Sequence, residues 1–401
     1  MPARQPPALG TKMVLLNQTN VLFTLNGLTA LAFSVVLPIM SLFLVSELNA
    51  QPASIGIYTS LTAIMTIVVS QKLTGLIDKG ISSLLLLVIS LLGIIFAAIG
   101  FSLATEFWHA LLIGCILMPF ASSSVSIILA IIRRHADASG KDSARLNSQM
   151  RSTVSLLWIV GPPFAFMSVD TLGFKSNFYF AALIACVVIV LAVALFKPQR
   201  MAATINHHVI AVKLPRPVWF LAGVILLTNM ANGAYITAIP IYITEELGFP
   251  TSYPGLLLGL TAAVEIPAML LAVGWSRRFG KSRVLKGGLA AGVIFYACMY
   301  YSSSFYLFLA LQIFNGLFYG IFVGLGVTIM QDFAPNSIGK ISAFYSNAML
   351  TGSMLGTSCM GVISQYFGFK APLLLSLSCL LIAFVVLMSF EKASLATSEV
   401  H

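Results

Sequence analysis

The chain has 401 residues, of which 59% are hydrophobic and only 8% charged. Soluble domains carry about 25% charged residues, so a soluble globular fold is excluded and a multi-pass membrane protein is indicated. The formal net charge of +10 would suit a nucleic-acid partner, but assigning the loops alternately to two sides puts only Lys175 and Lys370 on one side and the other 20 of the 22 Lys and Arg opposite. That asymmetry is the positive-inside pattern, and it predicts cytoplasmic termini and no nucleic acid.

In chain order, residues 1–12 are polar and proline-bearing and read as neither a signal nor a span. Twelve spans of the length a bilayer needs, about 20 residues, then follow at 20–46, 54–75, 81–103, 107–132, 148–169 and 177–195, and at 218–244, 253–275, 284–303, 306–330, 342–367 and 371–390. The hydrophilic stretch 197–216 divides them into two six-helix halves, 1–196 and 217–401. The five cysteines all fall in apolar runs and read as small buried hydrophobes, so neither a disulfide framework nor a metal site is expected.

The halves repeat one another weakly. Leu37-Pro38-Ile39 followed by Glu47-Leu48 is echoed by Ile239-Pro240-Ile241 followed by Glu246-Leu247, and Asp78-Lys79-Gly80 by Arg278-Phe279-Gly280-Lys281. Such internal symmetry is characteristic of transporters, with the substrate site near the midplane between the repeats. A one-chain channel has no need of it. The fold class expected is therefore all-α, twelve transmembrane helices in two pseudo-symmetric halves.

The residues also carry a resemblance. Arg134-His135-Ala136-Asp137, Gln149 with Arg151, Trp158 and Gly161-Pro162-Pro163 resemble the fourth and fifth spans of the bacterial sugar efflux transporters of the major facilitator superfamily. Glu265-Ile266-Pro267, Arg278-Phe279-Gly280-Lys281, Gln312 with Asn315, and Gln331-Asp332 match further. The resemblance implies export of sugars or sugar-like solutes across a bacterial inner membrane, in exchange for protons and without a cofactor. A proton-coupled multidrug exporter of the same fold is the alternative. One departure concerns the loop after the second span, where the superfamily pattern ends in a basic pair. Here Asp78-Lys79-Gly80 is followed by Ile81-Ser82-Ser83, which weakens a gating latch built on Asp78 and Lys79.

Candidate sites follow from polar groups inside apolar spans, which are rare and often functional. Arg151 shares a helix face with Ser155 and Trp158 at i+4 and i+7. Its guanidinium suits a substrate hydroxyl or a carboxylate, and simple snorkelling is the competing account. Glu265 is the one carboxylate near the middle of a span. An ionised carboxylate is costly there, so Glu265 is the expected carrier of the coupling proton, with a structural hydrogen-bonding role as the alternative.

Gln312, Asn315 and Tyr319 form a polar stripe at i, i+3 and i+7 that offers amides, a hydroxyl and an aromatic plane to a sugar or, equally, glue between helices. Asn20 and Asn26 in the first span, Asn229, Asn232 and Tyr235 in the seventh, and Asn347 in the eleventh complete the substrate candidates. Gly161-Pro162-Pro163 is expected to bend the fifth span and, with Arg278 and Gly280, to serve gating. Asp332 reads as a helix-end ion-pair partner. The partners expected are a sugar or glycoside, protons and the bilayer, and the chain is expected to act as a monomer.

Overall fold

In the computed structural model, residues 9–139, 143–196, 215–333 and 338–398 are described; the linker expected at 197–216 falls almost wholly outside them. The side chains of Asp78 and Arg151 also lie outside the described set. All regular structure among the described residues is helical. Helix α1 (Leu9–Val36) runs on through a 3-10 turn (Leu37–Ile39), one α-turn (Met40–Leu42) and a π-turn (Phe43–Glu47). Then come α2 (Pro52–Asp78), α3 (Ser83–Leu103) and α4 (Phe107–Ser139).

The stretch Ser143–Leu195 is hydrogen-bonded as helix throughout, yet at 53 residues it is more than twice a bilayer span. Its one departure from helical dihedrals is Gly173, at φ 80°. Only glycine takes that conformation without steric cost, so the stretch divides there into α5 (143–172) and α6 (174–195). At Gly161-Pro162-Pro163, where a bend is expected, the helix is not broken. Those residues keep helical dihedrals, although the two prolines withdraw the donors that the carbonyls of Trp158 and Ile159 would use.

The second half supplies α7 (Arg216–Ile241), continued by a π-turn (Tyr242–Glu246), then α8 (Tyr253–Phe279) and α9 (Lys281–Tyr301). Helices α10 (Phe305–Asp332), α11 (Ile338–Phe367) and α12 (Pro372–Ser398) complete it. Among the described residues ten helices are long and apolar enough to cross a membrane, with Ser152–Leu195 taken as one of them. Dividing that one at Gly173 and adding α11, which is 30 residues long but more polar, accounts for the twelve spans.

The internal repeat is more detailed in three dimensions than in sequence. Both first helices of a half end in a five-residue π-turn, closed by Leu48 N–H donating to Phe43 O (3.3 Å) and by Leu247 N–H donating to Tyr242 O (3.1 Å). The next chain reversal has Asn49 at φ 50° in one half and Gly248 at φ 68° in the other. Gly80 and Gly280 (φ 89° and 86°) close α2 and α8, and Gly173-Phe174-Lys175 is matched by Gly368-Phe369-Lys370, with Gly368 at φ 78°. Structural equivalence thus runs through the π-turns. By that alignment Pro38 and Pro240 are three residues out of register, so the proline echo read from sequence is only approximate.

By contact the chain gathers into two compact units. One comprises Met1–Leu37, Thr62–Gly161 and Leu172–Asn206, the other Pro38–Leu61, Pro162–Thr171 and His207–His401. Two short stretches of the first half therefore belong to the second unit. Close backbone approach explains it: a Cβ on Gly56 would stand 2.8 Å from Ser358 Cα, one on Gly361 2.6 Å from Pro52 O, and one on Gly255 2.8 Å from Pro162 O. A Ser60–Ser358 hydrogen bond (2.7 Å) and the Thr251 N–H donating to Asp170 Oδ1 (3.1 Å) tie the same seams.

Within the second unit α7 packs on α11 and α12, and α10 packs on α8 and α9. Without a hydrophobic drive between helices in lipid, such contacts rest on van der Waals packing, which small residues permit. Gly352 and Gly356 of α11 meet the α7 backbone, where an added Cβ would come within 2.3 Å of Leu226 O and 2.1 Å of Met230 O. Gly316, Gly320 and Gly324 of α10 lie along α8 in the same way, against Val264, Glu265 and Met269.

Candidate functional site in the second unit

The α10 glycine stripe brings the polar face of α10 hard against α8, and that proximity builds the site. Position 320 lies within 2.7 Å of Glu265 O and position 316 within 2.6 Å of the Val264 side chain, each measured from an added Cβ. Thr261 and Glu265 are four residues apart, so they share a face of α8. Thr261 Oγ1 donates to Gln312 Oε1 at 2.7 Å, and Asn315 Nδ2 is 3.3 Å from both Thr261 Oγ1 and Gln312 Oε1.

Gln312 is fully buried, and its amide is committed at both ends. Oε1 also accepts from the Tyr235 hydroxyl of α7 (3.2 Å), while Nε2 donates to Phe308 O (2.9 Å). Tyr235 is held in turn edge-on against Phe295 and Tyr296, at centroid distances of 5.1 and 5.9 Å. Gln312 and Tyr235 therefore clamp α7, α8 and α10 together. Asn315, 1% exposed, is different: its Oδ1 is buried with no partner. A buried acceptor left unmade costs about 1–3 kcal/mol, so this oxygen is a natural receptor for a ligand hydroxyl.

One turn further along α10, the Tyr319 hydroxyl donates to Asn229 Oδ1 of α7 at 3.1 Å, and the Asn232 side chain is also placed to bond the same hydroxyl. Asn229 Nδ2 donates to Ile225 O within its own helix (2.8 Å). Glu265 is half-buried and close enough to Tyr319 for the two side chains to interact electrostatically. The second unit thus gathers Glu265, Tyr235, Tyr319, Asn229, Asn232, Gln312 and Asn315, all seven from the sequence-based candidates. Thr261 belongs with them and was missed. Its spacing of four from Glu265 was the available signal.

The remaining candidates lie elsewhere. Asn347 is exposed on α11. In the first unit Asn26 donates to Met150 O of α5 (3.1 Å), a bond between helices, and Asn20 is exposed. Trp158 is half-buried on α5, while the side chain of Arg151 one face-length away lies outside the described residues. Gly161 is wedged against Ser34 of α1 so closely that a Cβ would stand 2.0 Å from its Oγ.

Among the gating candidates, Lys79 and Arg278 are exposed at helix ends, and the Arg278 guanidinium lies 5.2 Å from the Phe279 ring centroid. Gly280 supplies the positive φ that separates α8 from α9. Asp332 pairs with Lys281, so the start of α9 is joined to the end of α10.

The profile of the Major Facilitator Superfamily matches this chain twice, over residues 22–222 and 220–399. Sugar efflux transporter A of Dickeya chrysanthemi is 31% identical over 360 residues, covering 88% of this chain and 90% of that protein. Sugar efflux transporter C of Escherichia coli (strain K12) is 32% identical over 367 residues, covering 90% and 93%. Among solved structures, the crystal structure of the nucleoside transporter NupG in a mutant form superposes with a TM-score of 0.78 at 14% identity, over 93% of this chain and 99% of that one, a likeness of fold. The twofold match, the twelve helices and the extent of the similarity converge on one assignment: the chain belongs to the Major Facilitator Superfamily, within its family of bacterial sugar efflux transporters.

Proposed function

We propose that this transporter exports sugars or sugar-like solutes across the bacterial inner membrane by alternating access, as a monomer, in exchange for protons. The relatives named as sugar efflux transporters support the cargo and the direction. The single observation within the chain that supports it is the partnerless acceptor of Asn315, whose amide bonds Thr261 one helical turn from the half-buried carboxyl of Glu265. Sugars are bound through hydroxyls, and amide and hydroxyl side chains match them. Glu265 sits near the middle of α8, in a span where an ionised carboxylate is costly, so uptake and release of a proton there accompanies movement. Asn229, Asn232 and Asn315 serve as substrate contacts from the second half, with Tyr319 beside them, and Asn20, Arg151 and Trp158 from the first.

Both termini lie in the cytoplasm on this reading, and the halves 1–196 and 217–401, joined by 197–216, are the bodies that rock. The twofold profile match and the repeated π-turns support that division. The test is reconstitution in proteoliposomes with an imposed pH gradient. Uphill movement of a sugar from a panel including glucose and lactose, with counter-movement of protons, is the expected result. Proton movement evoked by ethidium and by no sugar would overturn the cargo and favour multidrug export.

A further inference from the structure

Tyr319 has a single proton to donate, and Asn229 takes it. Its hydroxyl donates to Asn229 Oδ1 of α7 at 3.1 Å. Helix α8 packs against the same turn of α10: its backbone at Glu265 comes within 2.7 Å of the Cβ position of Gly320, the residue after Tyr319. The Glu265 carboxyl and the Tyr319 hydroxyl are within electrostatic range. Among the described residues, the other titratable groups that influence Tyr319 are Tyr345 of α11 and Tyr296 of α9, with Asn232 beside Asn229 on α7.

We propose that the Tyr319 hydroxyl is a two-position switch that couples the proton to the sugar: it holds Asn229 while Glu265 is protonated and turns to Glu265 when that carboxyl is ionised. The inference rests on the reading of Glu265 as the proton carrier. Its physical basis is that a hydrogen bond to an ionised acceptor is roughly twice as strong as one between neutral groups, so ionised Glu265 outcompetes the Asn229 amide oxygen. Asn229 Oδ1 is then an acceptor without a donor, and a sugar hydroxyl can take the vacated place. Protonation of Glu265 returns the Tyr319 hydroxyl to Asn229 and displaces the sugar. Proton and sugar therefore compete without touching the same atom, as exchange in opposite directions requires. Tyr319 is a positioning residue in this scheme, and Asn229 is the group that contacts substrate.

Equilibrium binding of radiolabelled sugar to the purified full-length transporter, measured across pH with whichever of glucose or lactose saturates, tests the switch. In the unaltered protein, affinity should rise about tenfold from acid to alkaline pH, the worth of about one hydrogen bond. Tyr319→Phe should bind with the alkaline affinity at every pH, since Asn229 is never occupied, and Glu265→Gln with the acid affinity at every pH. Asn229→Ala should also be flat, at the weaker value, and it decides the matter should Tyr319→Phe fail to fold. If Glu265→Gln removes the pH dependence while Tyr319→Phe or Asn229→Ala keeps it, the switch is overturned and the proton assignment stands. If Glu265→Gln keeps the full pH dependence, the proton assignment falls with it.

Discussion

Gln312 and Asn315 lie on one face of α10, but burial has given them opposite situations. Gln312 accepts from Tyr235 and Thr261 and donates to Phe308 O, whereas Asn315 makes two long bonds and leaves its Oδ1 unpaired. Gln312→Leu would strand the buried Tyr235 hydroxyl, at about 1–3 kcal/mol for each orphaned donor. Asn315→Ala removes an unsatisfied group along with its weak bonds. The expected order of thermal stability in detergent is wild type, then Asn315→Ala, then Gln312→Leu. Sugar affinity should follow the reverse logic, with Asn315→Ala weakening it by about 1–3 kcal/mol through the lost acceptor. Unaltered sugar affinity in folded Asn315→Ala returns that residue to helix packing. Glu265→Gln mimics the neutral acid, so it should abolish uphill efflux in a pH gradient while downhill exchange of sugar for sugar continues. Uphill efflux with the pH dependence of the unaltered protein would assign the proton to another group.

At the scale of the helix, glycine decides what can approach what. Gly356 and Gly352 allow α11 to lie directly on the α7 backbone, and Gly316 and Gly320 do the same for α10 on α8. A methyl group at Gly356 would need to occupy space 2.1 Å from Met230 O, which only a backbone shift can open. Overpacking of this kind costs about 1–3 kcal/mol. Gly356→Ala is accordingly expected to lower the melting temperature, while Ala at Gly223, which has open space around its Cβ position, should leave it nearly unchanged. Equal melting temperatures would show that α7 and α11 are free to separate. Gly320→Ala carries an added consequence, since it pushes α10 away from the backbone of Glu265 and should disturb the pH response as well as stability.

At the scale of the whole chain, the charge asymmetry makes an expectation about sidedness. Lys370 follows the positive-φ Gly368 between α11 and α12, with its ammonium 4.8 Å from the Tyr300 ring centroid, while Arg278 is exposed at the opposite type of helix end, beside Gly280. In intact cells, a cysteine replacing Lys370 should react with a membrane-impermeant thiol reagent and one replacing Arg278 should not. The opposite labelling would invert the orientation and with it the direction of export.

What the sequence determined by itself is whatever depends on composition and period. Apolar runs of bilayer length, cations confined to alternate loops and a weak repeat were enough for twelve helices in two halves, because a bilayer leaves a chain few other solutions. The amide stripe of α10 was legible too, since residues three, four and seven apart share a helix face. The tertiary structure decided what each polar group is used for. Gln312 and Asn315 both reach Thr261, which the α10 glycines let α8 bring close, and they differ because only Gln312 also meets Tyr235 of α7. The break at Gly173, which the sequence places in the loop between two spans and which the backbone pins to one residue, is of the same kind. A proline in a membrane helix can be accommodated with helical dihedrals, whereas a glycine at φ 80° ends the helix there.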